Sequence, residues 1–167
     1  IRLTSGETID ADVVISNADV AWTYRHLLPE SARQRWTNRR VENLRMSMSL
    51  FVWYFGSDKH YPDVAHHTIL LGKRYKTLLE DIFENKVLAD DFSLYLHRPN
   101  ATDPSMAPEG CDAFYVLSPV PHLDSGIKWT EEQTERDRLA VSKYLSDSLL
   151  PELEDHLAAS GTLTPQG

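Results

Sequence analysis

The sequence predicts an α+β fold, with a mixed, largely antiparallel sheet packed against helices. Three observations predict it. Short apolar runs rich in β-branched and aromatic residues recur at 48–55, 66–71, 92–97 and 113–118, bounded by turn-forming or polar residues. Two segments, 75–83 and 141–157, instead carry apolar residues at helical spacing. Near the start, Val13-Val14-Ile15 has the composition of a buried strand and stops at Ser16-Asn17, where Asp19 is placed to cap a helix.

The elements follow in order. Residues 1–9 form two short strands around a Ser5-Gly6 turn. The helix after Asp19 must stop at Pro29, because the residue before a proline is pushed out of the α region. A second helix is expected from Glu30 to about Arg45, carrying Arg33, Arg35, Arg39, Arg40 and Arg45 against two acids. Such a basic helix on an acidic protein is a candidate for contact with anionic lipid. From Leu50 to Phe55 every residue is apolar, so this strand is expected to be central and covered on both faces, ending at Gly56-Ser57-Asp58. His66–Leu71 reads as its antiparallel partner, ended by Gly72.

Tyr75, Leu78, Leu79, Ile82 and Phe83 form one stripe of a helix over Lys73 to about Asn85. Two strands, 92–97 and 113–118, flank a proline-rich connection, Arg98–Asp112, that is long for a structureless hairpin loop and serves either as a lid or as a connector. Thr130 and Gln133 form a capping box for a final helix whose buried side is Val141, Leu145, Leu149, Leu153 and Leu157, with Pro151 kinking it or starting a second short helix.

Composition narrows the function. The chain has 167 residues, enough for one core or for one domain with a piece of another. A net charge of −8 excludes a nucleic-acid surface, which needs clustered Lys and Arg. The single Cys111 excludes an internal disulfide and any multi-cysteine metal site, in keeping with a reducing compartment. The longest apolar run is far short of a membrane span, and no signal peptide is visible. The seven glycines are too dispersed for a dinucleotide fingerprint or a phosphate loop. His66 and His67 are neighbours on a strand, where adjacent side chains point to opposite faces, so no metal is expected there. His97 and His122 each end a strand and read as structural. Asp90-Asp91 is a carboxylate pair in a turn, and no serine lies in a nucleophile elbow. The chain opens at Ile1 with an unpaired hairpin and stops soon after a predicted helix, so it is expected to be an internal piece of a longer polypeptide.

Several separated blocks carry a resemblance. Val14–Val20 with its Ser-Asn-Ala-Asp turn, Met48–Phe51, and Asp91-Phe92-Ser93 before Leu94–His97 are three of them. The fourth is Ala107-Pro108-Glu109-Gly110-Cys111 leading into Tyr115–Leu123. In order and spacing, from about residue 7 to about 157, they resemble the bacterial and fungal type of phytoene desaturase, the flavin-dependent carotenoid dehydrogenases. The family's N-terminal glycine fingerprint and C-terminal flavin-binding stretch are both missing from this sequence.

The resemblance implies that residues 1–20 are the end of a flavin-binding domain and 21–167 a substrate-side α+β domain. It implies FAD as cofactor of the longer protein, not bound by this piece alone, with Ser16, Asn17, Ala18 and Asp19 near the cofactor. It implies hydride transfer from a saturated C–C bond of a phytoene-like carotenoid to the flavin. Phe51, Trp53 and Phe55 become candidates for the wall of a substrate tunnel, and no catalytic residue is identified. A hydrocarbon substrate implies work at a membrane surface by a cytoplasmic, peripherally attached enzyme, with the isolated piece inactive. Apolar surface left uncovered would leave homo-oligomer formation open. The competing reading is a non-enzymatic α+β interaction module.

Overall fold

A computed structural model of the chain describes residues 1–89 and 91–167, and its backbone divides into two units, 1–46 and 47–167. The boundary near residue 20 that the resemblance implies is one between domains of the longer protein. Asp90, half of the carboxylate pair singled out above, lies outside the described residues.

In the first unit, Arg2 and Thr8 form an isolated antiparallel bridge around a turn in which Gly6 takes a φ of 90°, a conformation that favours glycine. Val13, Val14 and Ile15 do not form a strand. They are 76%, 60% and 91% exposed, because a β-branched run becomes a strand only beside a hydrogen-bonded neighbour, and the described residues offer none. The helix after them forms as expected. Val20–Trp22 (α1) is capped by the Asp19 carboxylate, which accepts from the Trp22 amide at 2.7 Å. It continues as a wider π turn over Thr23–Leu27 before Pro29.

The helix expected over 30–45 is broken. A 3-10 turn at Glu30–Ala32 ends at Arg33, and Thr37 restarts the chain as a short helix, Asn38–Glu42 (α2). The Thr37 hydroxyl accepts from the Arg40 amide at 3.4 Å. A capping threonine in mid-segment outweighs the helix preference of the arginines around it.

The second unit is built on five antiparallel strands: Ser49–Ser57 (β1), His67–Leu70 (β2), Leu94–His97 (β3), Asp112–Val120 (β4) and Leu157–Leu163 (β5). Their order is β2-β3-β4-β1-β5, which gives the α+β fold with an antiparallel sheet. Two expectations about β1 fail. Its partners are β4 and β5, whereas β2 pairs with β3. It is also covered on one face only: Phe51, Trp53, Phe55 and Ser57 are buried, while Leu50 and Tyr54 are exposed. An apolar run without alternation cannot reveal which face stays open.

Tyr75–Glu80 (α3) runs on as a π turn over Asp81–Asn85. Leu78 and Ile82 of its stripe are buried, whereas Tyr75 and Phe83 remain 44% and 43% exposed. Glu131–Ser148 (α4) is capped by Thr130, whose hydroxyl accepts from the Gln133 amide at 3.2 Å. Val141 and Leu145 of α4, with Leu150 and Leu153 beyond it, pack against Phe51, Trp53, Leu96 and Val116 of the sheet in one core cluster. The chain after α4 departs from expectation. Glu152 adopts a left-handed φ of 65°, a 3-10 turn follows at Leu153–His156, and Leu157 starts β5 rather than ending a helical stripe. The run Ala158-Ala159-Ser160-Gly161-Thr162 has neither period, so only its pairing with β1 makes it a strand.

The Arg98–Asp112 segment is a pinned connector with 3-10 turns at Pro99–Ala101 and Pro104–Met106. Asn100 clamps it, donating to the Asp112 carboxylate at 2.6 Å and accepting from the Ala113 amide at 3.1 Å. Gly72 is required for a different reason. A Cβ there would lie 2.5 Å from the Phe92 carbonyl oxygen and 2.7 Å from an Asp91 carboxylate oxygen. Gly72→Ala is therefore expected to cost about 1–3 kcal/mol in denaturant unfolding, and an unchanged midpoint would show that β3 yields there without strain.

Candidate functional site

The face of the sheet opposite the core carries the chain's most distinctive surface. Alternation along each strand places Leu50, Val52 and Tyr54 of β1, Tyr115, Leu117 and Pro119 of β4, Tyr95 and His97 of β3, and His67 and Ile69 of β2 on this one side. Register brings them together as direct neighbours: Leu50 opposite Pro119, Val52 opposite Leu117, Tyr54 opposite Tyr115, and Ile69 opposite Tyr95. At one end the surface sinks into an open groove of about 380 Å³ whose lining includes Met48, Leu50, Ile69, Leu71, Tyr75, Tyr95 and Leu117. Ionisable groups other than two tyrosines are absent from that lining. Ile69 and Leu71 are 63% and 65% exposed, an arrangement that disfavours water without excluding it.

Beyond the groove the same face becomes polar. The Tyr54 and Tyr115 rings lie 5.7 Å apart and those of Tyr95 and Tyr115 5.9 Å apart. A hydrogen bond that the Tyr115 hydroxyl donates to Tyr95, then burial, raises the pKa of Tyr115 above the ordinary phenol value. Next to these rings stand His66, His67 and His97, with ligand-capable atoms all within 4.8 Å of one another. The expectation that His66 and His67 diverge does not hold, because β2 begins only at His67 and His66 is not bound by strand alternation. His66 Nε2 meets His97 Nε2 at 2.8 Å, and His67 lies directly opposite His97 in the ladder. Sequence reading missed this cluster; the available signal was a histidine on each of two strands that turn out to be partners. His122 lies apart from them, and its Nδ1 accepts from the Asp124 amide at 3.2 Å.

The other sequence candidates fall elsewhere. Phe51, Trp53 and Phe55 are 1%, 0% and 4% exposed and fill the core on the opposite side of β1 from the groove. Phe51 borders a cavity of about 20 Å³, large enough for a water molecule and not for a long hydrocarbon. Ser16, Asn17, Ala18 and Asp19 form an exposed turn in the first unit. There the Ser16 and Thr23 hydroxyls pair at 3.2 Å and the Asp19 carboxylate is committed to its own helix. Among the described residues these four make no cradle for a dinucleotide. Of the five arginines expected on one helix, Arg33 is buried and donates to Asn38 at 2.6 Å, while Arg35, Arg39, Arg40 and Arg45 are exposed.

No protein-family model matches the chain. Individual proteins do. The chain is 46% identical, over 99% of its length, to a neurosporene-forming phytoene desaturase of Rhodobacter capsulatus, and 46% identical over the same share to a lycopene-forming phytoene desaturase of Pseudescherichia vulneris. The chain is a phytoene desaturase homologue. A zeta-carotene-forming phytoene desaturase of Myxococcus xanthus is 42% identical over 79% of the chain. These phytoene desaturases form different products, so the shared sequence is not tied to one product. The chain spans about a third of the length of the first two and a quarter of the third.

Proposed function

We propose that this chain is part of an FAD-dependent carotenoid desaturase and that the apolar groove on the open sheet face receives the polyene. The observation that supports it most is the identity with phytoene desaturases along almost the whole chain. The groove adds a physical reason. A hydrocarbon of about forty carbons favours an apolar phase by tens of kcal/mol, at about 0.8 kcal/mol per CH₂, so a protein that holds it must offer a long surface without charge. Leu50, Ile69, Leu71 and Leu117 provide such a surface, and Tyr75 and Tyr95 add flat rings that suit a conjugated chain. On this reading Phe51, Trp53 and Phe55 support the groove from behind and do not line it.

FAD, when bound to the longer protein, would accept the hydride removed from the substrate. Among the described residues Ser16–Asp19 are the candidates to border it. What this chain contributes is binding, orientation and exclusion of water. The test is to express the open reading frame around these residues and to look for bound flavin and conversion of phytoene. Ile69→Asp, on an exposed edge position, is expected to cut conversion at least about tenfold while leaving the melting temperature nearly unchanged. A folded longer protein with no flavin and no conversion would sink the enzymatic reading. Full conversion by the Ile69→Asp variant would sink the groove assignment alone.

The same substrate places the enzyme at a membrane surface, on the cytoplasmic side in this proposal. Among the described residues no helix is long and apolar enough to cross a membrane, and the attachment proposed is peripheral. The exposed arginines Arg35, Arg39, Arg40 and Arg45 are the candidates, at about 1 kcal/mol each near an anionic surface. Changing all four to glutamine is expected to reduce co-sedimentation with anionic vesicles strongly and with neutral vesicles hardly at all. Equal binding by the parent and the variant would remove these arginines from the account.

A further inference from the structure

We propose that His66, His67 and His97 form a binding site for a divalent first-row transition ion of the zinc type. The three imidazoles come from two strand ends and converge, with ligand-capable nitrogens within 4.8 Å of one another. An all-nitrogen set suits zinc, cobalt, nickel or copper and does not suit magnesium or calcium, which require oxygen ligands. Three histidines with a fourth position open toward solvent on the exposed His67 side is also the pattern of a site that can accept water or a further ligand.

The surroundings fit the same role. Histidines that bind a metal through one nitrogen are normally oriented by a hydrogen bond at the other. His66 Nδ1 pairs with the Thr102 hydroxyl, and His67 Nδ1 pairs with the Tyr95 hydroxyl at 2.6 Å. Nδ1 of both rings is thus engaged, and Nε2 of His66 faces Nε2 of His97. His97 is fixed by packing instead, with its ring stacked on His67 at 5.0 Å and edge-on to Tyr115 at 4.7 Å.

The distances are close to those required. Metal–nitrogen bonds of about 2.1 Å in a tetrahedron set the nitrogens about 3.4 Å apart. His66 Nε2 and His97 Nε2 stand at 2.8 Å, so the pair must open by about half an ångström, within the reach of small side-chain rotations.

This site does not depend on the desaturase reading, and its test reads the ion directly. The chain, prepared without a polyhistidine tag and stripped with a chelator, is titrated with zinc by calorimetry and with cobalt by visible absorption. The expected result is one ion per chain at a Kd of about 10 μM or tighter, with the intense visible bands of four-coordinate cobalt. His67→Ala and His97→Ala are each expected to weaken binding at least about a hundredfold, and Tyr95→Phe about tenfold through the lost orientation of His67. His67 is exposed on an edge strand, so its variant stays informative if His97→Ala fails to fold. Zinc binding weaker than about 1 mM, or binding that survives His67→Ala unchanged, would overturn the proposal.

Discussion

Replacing Asp112 by alanine is expected to lower the unfolding free energy by about 3–5 kcal/mol, the usual cost of stranding the partner of a buried ion pair. The Asp112 side chain is fully buried and Arg98 nearly so, with Nη1 3.5 Å from the carboxylate. The same carboxylate accepts from the Tyr61 amide at 2.6 Å and from Asn100 at 2.6 Å, and pairs with His60 Nδ1 at 3.0 Å. Alanine would leave the buried Arg98 guanidinium with the Tyr61 and Pro62 carbonyls but no counter-charge, would leave the Tyr61 amide without its acceptor, and would remove one of the two bonds by which Asn100 clamps the connector. Urea unfolding near neutral pH measures the loss, and a change below about 1 kcal/mol would mean that water replaces the carboxylate freely.

The pH dependence gives an independent check. Burial alone would raise the Asp112 pKa, but the bonds from Asn100, Tyr61 and His60 and the charge of Arg98 together hold it below the ordinary carboxylate value. A folded value below the unfolded one means a contribution fully present above the unfolded pKa and lost as pH falls through the folded pKa. The gap between parent and Asp112→Ala is therefore expected to be widest near neutrality and to narrow in acid below about pH 4. A gap that stayed constant through that range would show that packing, not charge, accounts for the loss.

Trp53→Ala is the second large effect, at about 3–5 kcal/mol. The ring is completely buried, stacks on Phe55 at 4.2 Å and lies beneath the Arg138 guanidinium at 5.4 Å. Its Nε1 donates to the Ser160 hydroxyl of β5 at 2.9 Å. Arg138 is itself held by Glu135 at 2.8 Å and Glu154 at 2.9 Å, which raises its pKa and keeps it charged. Trp53 thus joins β1, β5 and α4. Trp53→Phe is expected to retain most of the stability and to lose only the contribution of one hydrogen bond, about 1 kcal/mol. Thermal and urea unfolding of both variants decide the point, and equal losses would mean that the indole nitrogen, not the ring volume, matters.

The parts of this fold legible in the sequence are those whose signal is local. Thr130 with Gln133, Asp19, Pro29 and the apolar strands 92–97 and 113–118 all act over a few residues. The parts that escaped depend on partners distant in the chain. Nothing in Ala158–Thr162 marks a strand until β1 lies beside it. The uniform apolarity of Leu50–Phe55 conceals that only Phe51, Trp53 and Phe55 turn inward. Aromatic character singles out those three without telling which face they take, while Tyr54, Tyr95 and Tyr115 meet on the open side only through strand pairing. The histidine cluster escaped for the same reason, since a rule about neighbours in one strand says nothing of His97 on the next.

The position of β1 in the strand order also has a consequence for synthesis. This strand is the most apolar of the sheet, yet its register ties Ser57 to Asp112 on one side and to Leu157 on the other. At about 5–20 residues per second, a ribosome needs several seconds after releasing β1 to deliver β4, and several more for β5. Throughout that interval a nine-residue strand with Phe51, Trp53 and Phe55 is present without either neighbour. The nascent chain is therefore a natural client for holding chaperones, and a translational pause placed between β1 and β4 is expected to lower the soluble yield more than a pause after β5.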